Sequence, residues 1–105
     1  MSVLFVCKWN INPDKTEEYA KWAQSAIQRQ LAVPGVVEFR AYRGVTGDAE
    51  VITNYEFSDI VSWASWRDND DVQKVTNELF SLALNVRSEL WGPSPVVPKP
   101  IRPRG

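Results

Sequence analysis

The sequence predicts one small α+β domain with the element order strand, helix, strand, strand, helix, strand. The first observation behind this prediction is length, because 105 residues form one hydrophobic core and leave no room for a second. The second is composition, since 44% hydrophobic and 24% charged residues are typical of globular domains. The third is pattern: two segments repeat apolar residues at helical spacing, and runs of β-branched and aromatic residues separate them.

A strand followed by a helix is predicted in the first third of the chain. Residues 2–9 have apolar side chains at both odd and even positions, which favours a central strand covered on both faces. The helix begins near Asn12, whose side chain can accept a first-turn N–H, and Pro13, which lacks the donor that would stay unpaired there. It ends before Val33, after an apolar stripe that comprises Tyr19, Trp22, Ala23, Ala26, Ile27 and either Gln30 or Leu31.

A hairpin is predicted from residues 36–43 and 50–57, with residues 44–49 as its turn. The pairs that symmetric closure predicts on one face are Glu38 with Glu56, Arg40 with Asn54, and Tyr42 with Ile52. The opposite face is expected to carry Val37, Phe39, Ala41, Val51, Thr53, Tyr55 and Phe57.

A second helical region is predicted from about residue 58 onward. Ser58 or Asp59 can cap a short helix, and the polar residues 68–71 either kink that helix or cap another one. The apolar positions of this region continue to about residue 86 and are Ile60, Trp63, Trp66, Val72, Val75, Leu79, Leu82, Ala83 and Val86. The last strand is therefore expected within residues 87–92, although the helix could extend through Ser88. The best candidates for that strand are Leu90 and Trp91.

A proline-rich arm is predicted after the domain, which is expected to span residues 1–92. The arm, residues 93–105, cannot form a helix or an interior strand because it contains Pro93, Pro95, Pro98, Pro100 and Pro103. Two interpretations remain open: a strap over a partner subunit, favoured by Val96 and Val97, or a disordered tail.

Right-handed crossovers would place both helical regions on one face of a four-stranded antiparallel sheet, which is the ferredoxin-like βαββαβ fold. The other face would then be bare, with Leu4 and Val6 exposed at its centre. A small domain with such a face is expected to form a homodimer through it. The charged cluster on that face either forms ion pairs across the dimer or binds a polar ligand, and it consists of Glu38, Arg40, Asn54 and Glu56.

Several functional classes are disfavoured. The net charge is −1 and the basic residues are scattered, so nucleic acid is not an expected partner. The apolar runs are too short to cross a membrane and the N-terminus lacks the features of a signal peptide, so we expect a cytoplasmic protein. Cys7 is the only cysteine and histidine is absent, which removes Cys/His zinc sites and Ser/His or Cys/His nucleophile pairs. We expect no metal and no cofactor.

The layout resembles the dimeric α+β barrel superfamily, and within it the antibiotic-biosynthesis-monooxygenase-like proteins, over roughly residues 2–92. The resemblance rests on the opening strand into Asn12-Pro13-Asp14, the step Val33-Pro34-Gly35-Val36, and the segment from Phe57 to Trp66, which is Phe-Ser-Asp-Ile-Val-Ser-Trp-Ala-Ser-Trp. Enzymes of this group include cofactor-independent oxygenases of polycyclic aromatic molecules and haem-degrading oxygenases. Their cavity lies between sheet and helices and is lined by Asn, Trp and sometimes His. The haem-degrading version is disfavoured because this chain has no histidine.

Candidate site residues follow from the predicted helix-facing side of the sheet. Tyr55 and Trp66 are the candidate catalytic residues, since a phenol can donate a proton or a hydrogen bond and an indole can stack on an aromatic ligand. The candidate ligand-binding residues are Trp63, Phe39, Thr53 and Cys7. A packing role in the core is the alternative for each of these residues.

The resemblance, together with the pair Trp63 and Trp66, implies a small monooxygenase-like protein that oxidises a planar aromatic or other hydrophobic metabolite without a cofactor. The sequence supplies no obvious general base, which leaves a second hypothesis open: a non-catalytic homodimeric ligand-binding or stress-associated module. A third is a structural part that captures a partner through the proline-rich arm.

Overall fold

The computed structural model describes residues 1–104. The elements in chain order are β1 (Val3–Ile11), a single 3₁₀ turn (Pro13–Lys15), α1 (Thr16–Ala32), β2 (Val36–Arg43), β3 (Val51–Phe57), α2 (Ile60–Arg67), α3 (Asp70–Leu82) and β4 (Ala83–Trp91). The four strands form one antiparallel sheet in the order β2-β3-β1-β4. The predicted ferredoxin-like α+β fold is confirmed.

The predicted hairpin register is also confirmed. The structure pairs Glu38 with Glu56, Arg40 with Asn54 and Tyr42 with Ile52. One residue differs, because a bulge between Val36 and Glu38 shifts the start of β2. Val36 therefore packs on the core, whereas Val37, predicted to face the helices, is 61% exposed.

Local capping chemistry sets the helix starts. The Asn12 side chain accepts a hydrogen bond from the Asp14 N–H, and Asp59 accepts one from the Ser62 N–H, which lowers the pKa of the Asp59 carboxyl. Asn69 caps α3 by accepting from the Asp71 N–H. The polar residues 68–71 therefore begin a separate helix and do not kink one continuous helix.

The predicted boundary between the last helix and the last strand is wrong. Helix α3 ends at Leu82, whose carbonyl oxygen accepts from the Asn12 N–H at 3.1 Å. Strand β4 begins directly at Ala83, which pairs with Ile11. Ala83 and Val86 continue the helical spacing by coincidence, and no glycine or proline separates helix from strand to signal the change.

A bulge in β4 accompanies this early start. The β1–β4 register shifts between Lys8 and Asn10, and the residues that absorb the extra length lie between Leu84 and Arg87. Asn85 has φ 55°, and it is the one non-glycine residue with positive φ among residues 1–104. Asn is among the residues that tolerate this left-handed conformation best.

The helices cover one sheet face with two core clusters. The first is built around Val3, Tyr55, Phe57, Trp66 and Val72, and the second around Trp9, Leu79 and Ala83. On α1, Gln30 lies on the inward side, and Leu31, the alternative that the spacing also allowed, is 41% exposed.

The opposite sheet face has no helix over it. Its residues include Leu4, Val6, Ile52, Tyr42 and Trp91, with the charged cluster of Glu38, Arg40, Asn54 and Glu56 among them. Tyr42 and Trp91 are nearly half exposed, whereas Val6 at the centre is buried by its neighbours. We call this surface the bare sheet face.

The chain after β4 has no helix or strand from residue 92 to residue 104, and these residues are exposed. Gly105, the last residue of the predicted arm, lies outside the described residues. None of the helices in residues 1–104 has the length and apolar character needed to span a membrane. A cytoplasmic location stays a prediction.

Replacing Asn85 with valine is expected to destabilise the fold by about 1–2 kcal/mol, because a β-branched residue fits the left-handed conformation poorly. Urea unfolding of Asn85→Val against the wild type measures this. Ser88→Val, at an exposed β4 position with φ in the ordinary range, is the matched control and should unfold like the wild type. Equal stability of the two variants would contradict the strained bulge.

Candidate functional site

A cavity of about 280 Å³ lies between the helices and the sheet. Both core clusters contribute to its wall, and it reaches the surface, since Ala41, Phe80 and Ser88 in its lining are exposed. The residues around it are mainly apolar and aromatic: Phe5, Cys7, Trp9, Tyr19, Trp22, Ala23, Ala26, Ile27, Gln30, Ala41, Val51, Thr53, Tyr55, Trp66, Val75, Thr76, Leu79, Phe80, Val86, Arg87 and Ser88. The small side chains of Ala23 and Ala26 on α1 leave room for it.

One end of the cavity is an aromatic wall. The Trp9 indole N–H donates to the Tyr19 hydroxyl at 3.1 Å, and the rings of Tyr19 and Trp22 lie 5.8 Å apart. Burial raises the pKa of the Tyr19 phenol. These contacts join β1 to α1. The hydrogen bond also gives the Trp9 indole N–H a partner, which the core would otherwise leave unpaired.

An ion pair joins α1 to α3 next to this wall. The Glu78 carboxylate accepts from the Trp22 indole N–H at 2.8 Å and from both terminal nitrogens of Arg29, at 2.7 and 3.1 Å. The Arg29 hydrogen bonds hold the pKa of Glu78 below its usual value. A bidentate pair of this kind fixes geometry better than a single contact, so it holds the Trp22 ring over the cavity.

The other end of the cavity is organised by Gln30. The Tyr55 hydroxyl donates to the Gln30 side-chain oxygen at 2.6 Å, and the Trp66 indole N–H donates to the Gln30 backbone oxygen at 3.0 Å. The Tyr55 and Trp66 rings lie 5.0 Å apart. Burial raises the pKa of the Tyr55 phenol, so the group stays protonated and acts as a hydrogen-bond donor.

Cys7 and Thr53 lie opposite each other on β1 and β3 and contribute to the cavity lining. Burial raises the pKa of the Cys7 thiol to about 12, and the nearby Thr53 hydroxyl opposes only part of this rise. The thiol is therefore neutral and a poor nucleophile at neutral pH. The Thr53 hydroxyl is buried and forms no well-aligned hydrogen bond with any of residues 1–104.

Four of the six predicted site residues meet at the cavity, namely Tyr55, Trp66, Thr53 and Cys7. The other two do not line it. The rings of Trp63 and Phe5 pack together with their centres 5.7 Å apart. The Arg67 guanidinium lies over the Trp63 ring, 4.8 Å from the centre of that ring. Phe39 packs on the outer side of Tyr55 at 4.9 Å.

Sequence reasoning missed part of the lining, notably Tyr19, Trp22, Gln30, Arg87 and Ser88. Tyr19, Trp22 and Gln30 all stood in the predicted α1 stripe, and a polar Gln30 within it was the available signal. No sequence signal identified Arg87 and Ser88. The last helix was predicted to continue past Leu82, and the bulge at Asn85 was not predictable.

The electrostatic character of the cavity is close to neutral. Arg87 is the one charged residue among those that line it in the described chain, and it is already paired with Asp48 at 2.6 Å and with the Asn85 carbonyl oxygen at 3.1 Å. No cluster of three or more potential metal ligands occurs in residues 1–104. The Glu38–Arg40 pair, at 2.9 Å, lies on the bare sheet face and not at the cavity. The cavity can therefore hold an uncharged, mainly apolar molecule.

Comparisons with known proteins place the fold among solved structures. No family model matches this sequence, and no curated protein matches it. A DABB family protein with a ferredoxin-like fold from Mesorhizobium loti superposes with a TM-score of 0.79 at 15% identity, covering 89% of this chain and 97% of that one. SnoaB, a cofactor-independent oxygenase from Streptomyces nogalater, gives 0.71 at 15% identity, covering 93% and 98%. A dimeric ferredoxin-like protein of unknown function from Thermobifida fusca gives 0.73 at 9% identity, covering 87% and 90%.

At these identities the likeness establishes the fold and leaves the activity open. The neighbours also include antibiotic-biosynthesis-monooxygenase-like proteins, as the sequence resemblance predicted. The chain therefore has a ferredoxin-like α+β fold, which it shares with these solved structures.

Proposed function

We propose that this protein is a small monooxygenase-like enzyme that binds a planar aromatic or other hydrophobic metabolite between its sheet and helices and oxidises it without a cofactor. The observation that carries the proposal is the aromatic-lined cavity of about 280 Å³. A cavity of this size and apolar character is typical of small-molecule sites. The structural likeness to a cofactor-independent oxygenase supports the choice of reaction class.

In such a reaction the substrate itself reduces O₂. One oxygen atom enters the ring system, converting a CH₂ group to a carbonyl, and the other leaves as water with the two hydrogens. The protein contributes position, exclusion of water and hydrogen bonding. Trp66 provides a flat face for the substrate ring, and the protonated Tyr55 hydroxyl can move from Gln30 to a substrate oxygen on which negative charge develops. Trp63 and Phe39 hold Phe5 and Tyr55 in place from behind.

Filling the cavity is expected to remove both binding and turnover. Ala26 is buried and lines the cavity, so Ala26→Leu places a larger side chain inside it. The test substrate is 2-tetralone, a two-ring ketone with an activated CH₂ group next to its aromatic ring. It is incubated with the protein in air, and oxygen uptake and chromatography measure turnover. We expect turnover above background in the wild type, loss in Ala26→Leu, and wild-type turnover in Ala20→Leu, an exposed α1 position. Background turnover in all three proteins, with 2-tetralone bound, would contradict the enzymatic proposal and favour a binding role.

A non-catalytic ligand-binding or stress-associated module is the second candidate, and the state of the cavity groups favours it. Burial raises the pKa of Cys7, Tyr19 and Tyr55, so none of these groups is a base at neutral pH. Histidine is absent from the sequence. The substrate of an enzyme of this kind would have to lose its proton without a basic side chain in the cavity.

We also propose that the protein is a homodimer joined through the bare sheet face. That face combines exposed apolar side chains with charged residues that are partly paired within one chain, such as Arg40 with Glu38 and Lys8 with Glu89. Apolar patches of this kind in a small domain are typical of association surfaces. One of the structural neighbours is described as dimeric.

A charge on the bare sheet face is expected to separate the dimer. Ile52→Glu places a carboxylate opposite Lys8, which can pair with it, so the monomer still folds. Light scattering at micromolar concentration should give twice the chain mass for the wild type and the chain mass for Ile52→Glu. Val61→Glu, at an exposed position on α2, is the matched control and should stay dimeric. A monomeric wild type would overturn the proposal.

A further inference from the structure

We propose that Thr53 is the polar anchor of the cavity and that it selects neutral aromatic ligands of one or two rings that carry a hydroxyl or carbonyl group. This inference rests on the proposed binding role of the cavity and does not require that the protein be catalytic.

The first observation is an unsatisfied hydroxyl in the cavity wall. Thr53 is 4% exposed, and its Oγ1 forms no well-aligned hydrogen bond with any described residue. Leaving a buried hydroxyl unpaired costs about 1–3 kcal/mol, so such groups usually have a partner. Two groups lie near it, the Cys7 thiol and the Tyr55 hydroxyl. The thiol is only a weak donor and a weak acceptor, and the Tyr55 hydroxyl already donates to Gln30, so neither is a good partner for it. A ligand oxygen would be a better one. Rotation about χ1 moves the hydroxyl among three staggered positions, so the hydroxyl can turn toward the cavity.

The position of this hydroxyl separates it from the other unpaired groups. Asn54 and Trp63 also have a buried polar atom without a partner. Asn54 faces the bare sheet face, opposite Val6, and Trp63 does not line the cavity. The Tyr55 hydroxyl and the Trp66 N–H already donate to Gln30. Among the buried side-chain polar atoms of residues 1–104 that have no hydrogen-bond partner, Thr53 Oγ1 is therefore the one that lies at the cavity.

The size of the cavity sets the size of the ligand. An apolar cavity of about 150 Å³ holds one benzene molecule. The cavity here, about 280 Å³, is nearly twice as large, which fits one or two fused rings. The rings of Tyr55, Trp66 and Trp22 around it favour flat ligands.

The charge of the cavity sets the charge of the ligand. A buried anion needs a cation or several donors to offset its lost hydration. Arg87 already pairs with Asp48, and Arg29 already pairs with Glu78, so neither guanidinium is free for a ligand carboxylate. A neutral ligand with one polar oxygen can form a hydrogen bond with the Thr53 hydroxyl and brings no charge into the cavity.

The test compares naphthalene, 2-naphthol and 2-naphthoate by calorimetric titration at neutral pH, with wild type, Thr53→Val and Thr53→Ser. Valine has the shape of threonine without the hydroxyl, and serine keeps the hydroxyl. In the wild type 2-naphthol should bind more tightly than naphthalene, and 2-naphthoate at least tenfold more weakly than 2-naphthol. Thr53→Val should weaken 2-naphthol roughly five- to tenfold and leave naphthalene unchanged, as expected for one hydrogen bond. Thr53→Ser should bind 2-naphthol within about twofold of the wild type.

Each other outcome overturns a defined part of the proposal. Unchanged 2-naphthol binding in Thr53→Val, or equal weakening of 2-naphthol and naphthalene, rules out Thr53 as the anchor while leaving the cavity as a binding site. Binding of 2-naphthoate as tight as that of 2-naphthol rules out selection for neutral ligands. Tighter binding of the three-ring 2-anthrol than of 2-naphthol rules out the size limit. If the wild type binds none of these compounds, the anchor and the proposed function fail together. Urea unfolding of Thr53→Val should show no loss of stability, and a clear loss would mean that the hydroxyl has a partner within the protein.

Discussion

The position of α1 on the sheet depends on the hydrogen bonds that converge on Gln30. Its side chain accepts from the Tyr55 hydroxyl of β3, and its backbone oxygen accepts from the Trp66 indole of α2. Three elements are thus fixed at one residue near the C-terminal end of α1. Toward the opposite end, the Trp9 indole N–H donates to the Tyr19 hydroxyl and the Trp22 indole N–H donates to Glu78. Between these two attachments α1 presents Ala23 and Ala26, and the space they leave is the cavity.

This arrangement also explains why the two faces of the sheet differ in role. The helices and the cavity occupy one face, and the aromatic side chains around the cavity already have hydrogen-bond partners within the protein. The other face combines apolar side chains with charged residues and is suited to a second copy. Because Thr53 and Asn54 are neighbours on β3, their side chains point to opposite faces, and each has a buried polar atom without a partner. One such atom lies at the proposed ligand site and the other at the proposed dimer surface.

The sequence predicted features that depend on local chemistry. The caps at Asn12 and Asp59 and the hairpin register that pairs Arg40 with Asn54 follow from side-chain type and a period of two. The start of β4 was not predictable, because Ala83 and Val86 fit a helix as well as a strand, and only pairing with β1 decides between them. For the same reason Arg87 was missed. Strand parity placed Tyr55 and Thr53 correctly on the helix side, whereas the exclusion of Trp63 and Phe39 from the cavity depends on packing distances that no sequence pattern encodes.

The open apolar cavity between α1 and the sheet underlies both the proposed binding role and the proposed anchor at Thr53. Apolar cavities of this kind take up xenon, so a crystal of the protein pressurised with the gas tests for the cavity directly. We expect xenon bound beside Ala26, Tyr55 and Trp66, with the surrounding side chains unmoved. A crystal structure in which no xenon is bound there and the side chains of α1 and β3 close the space would contradict this expectation.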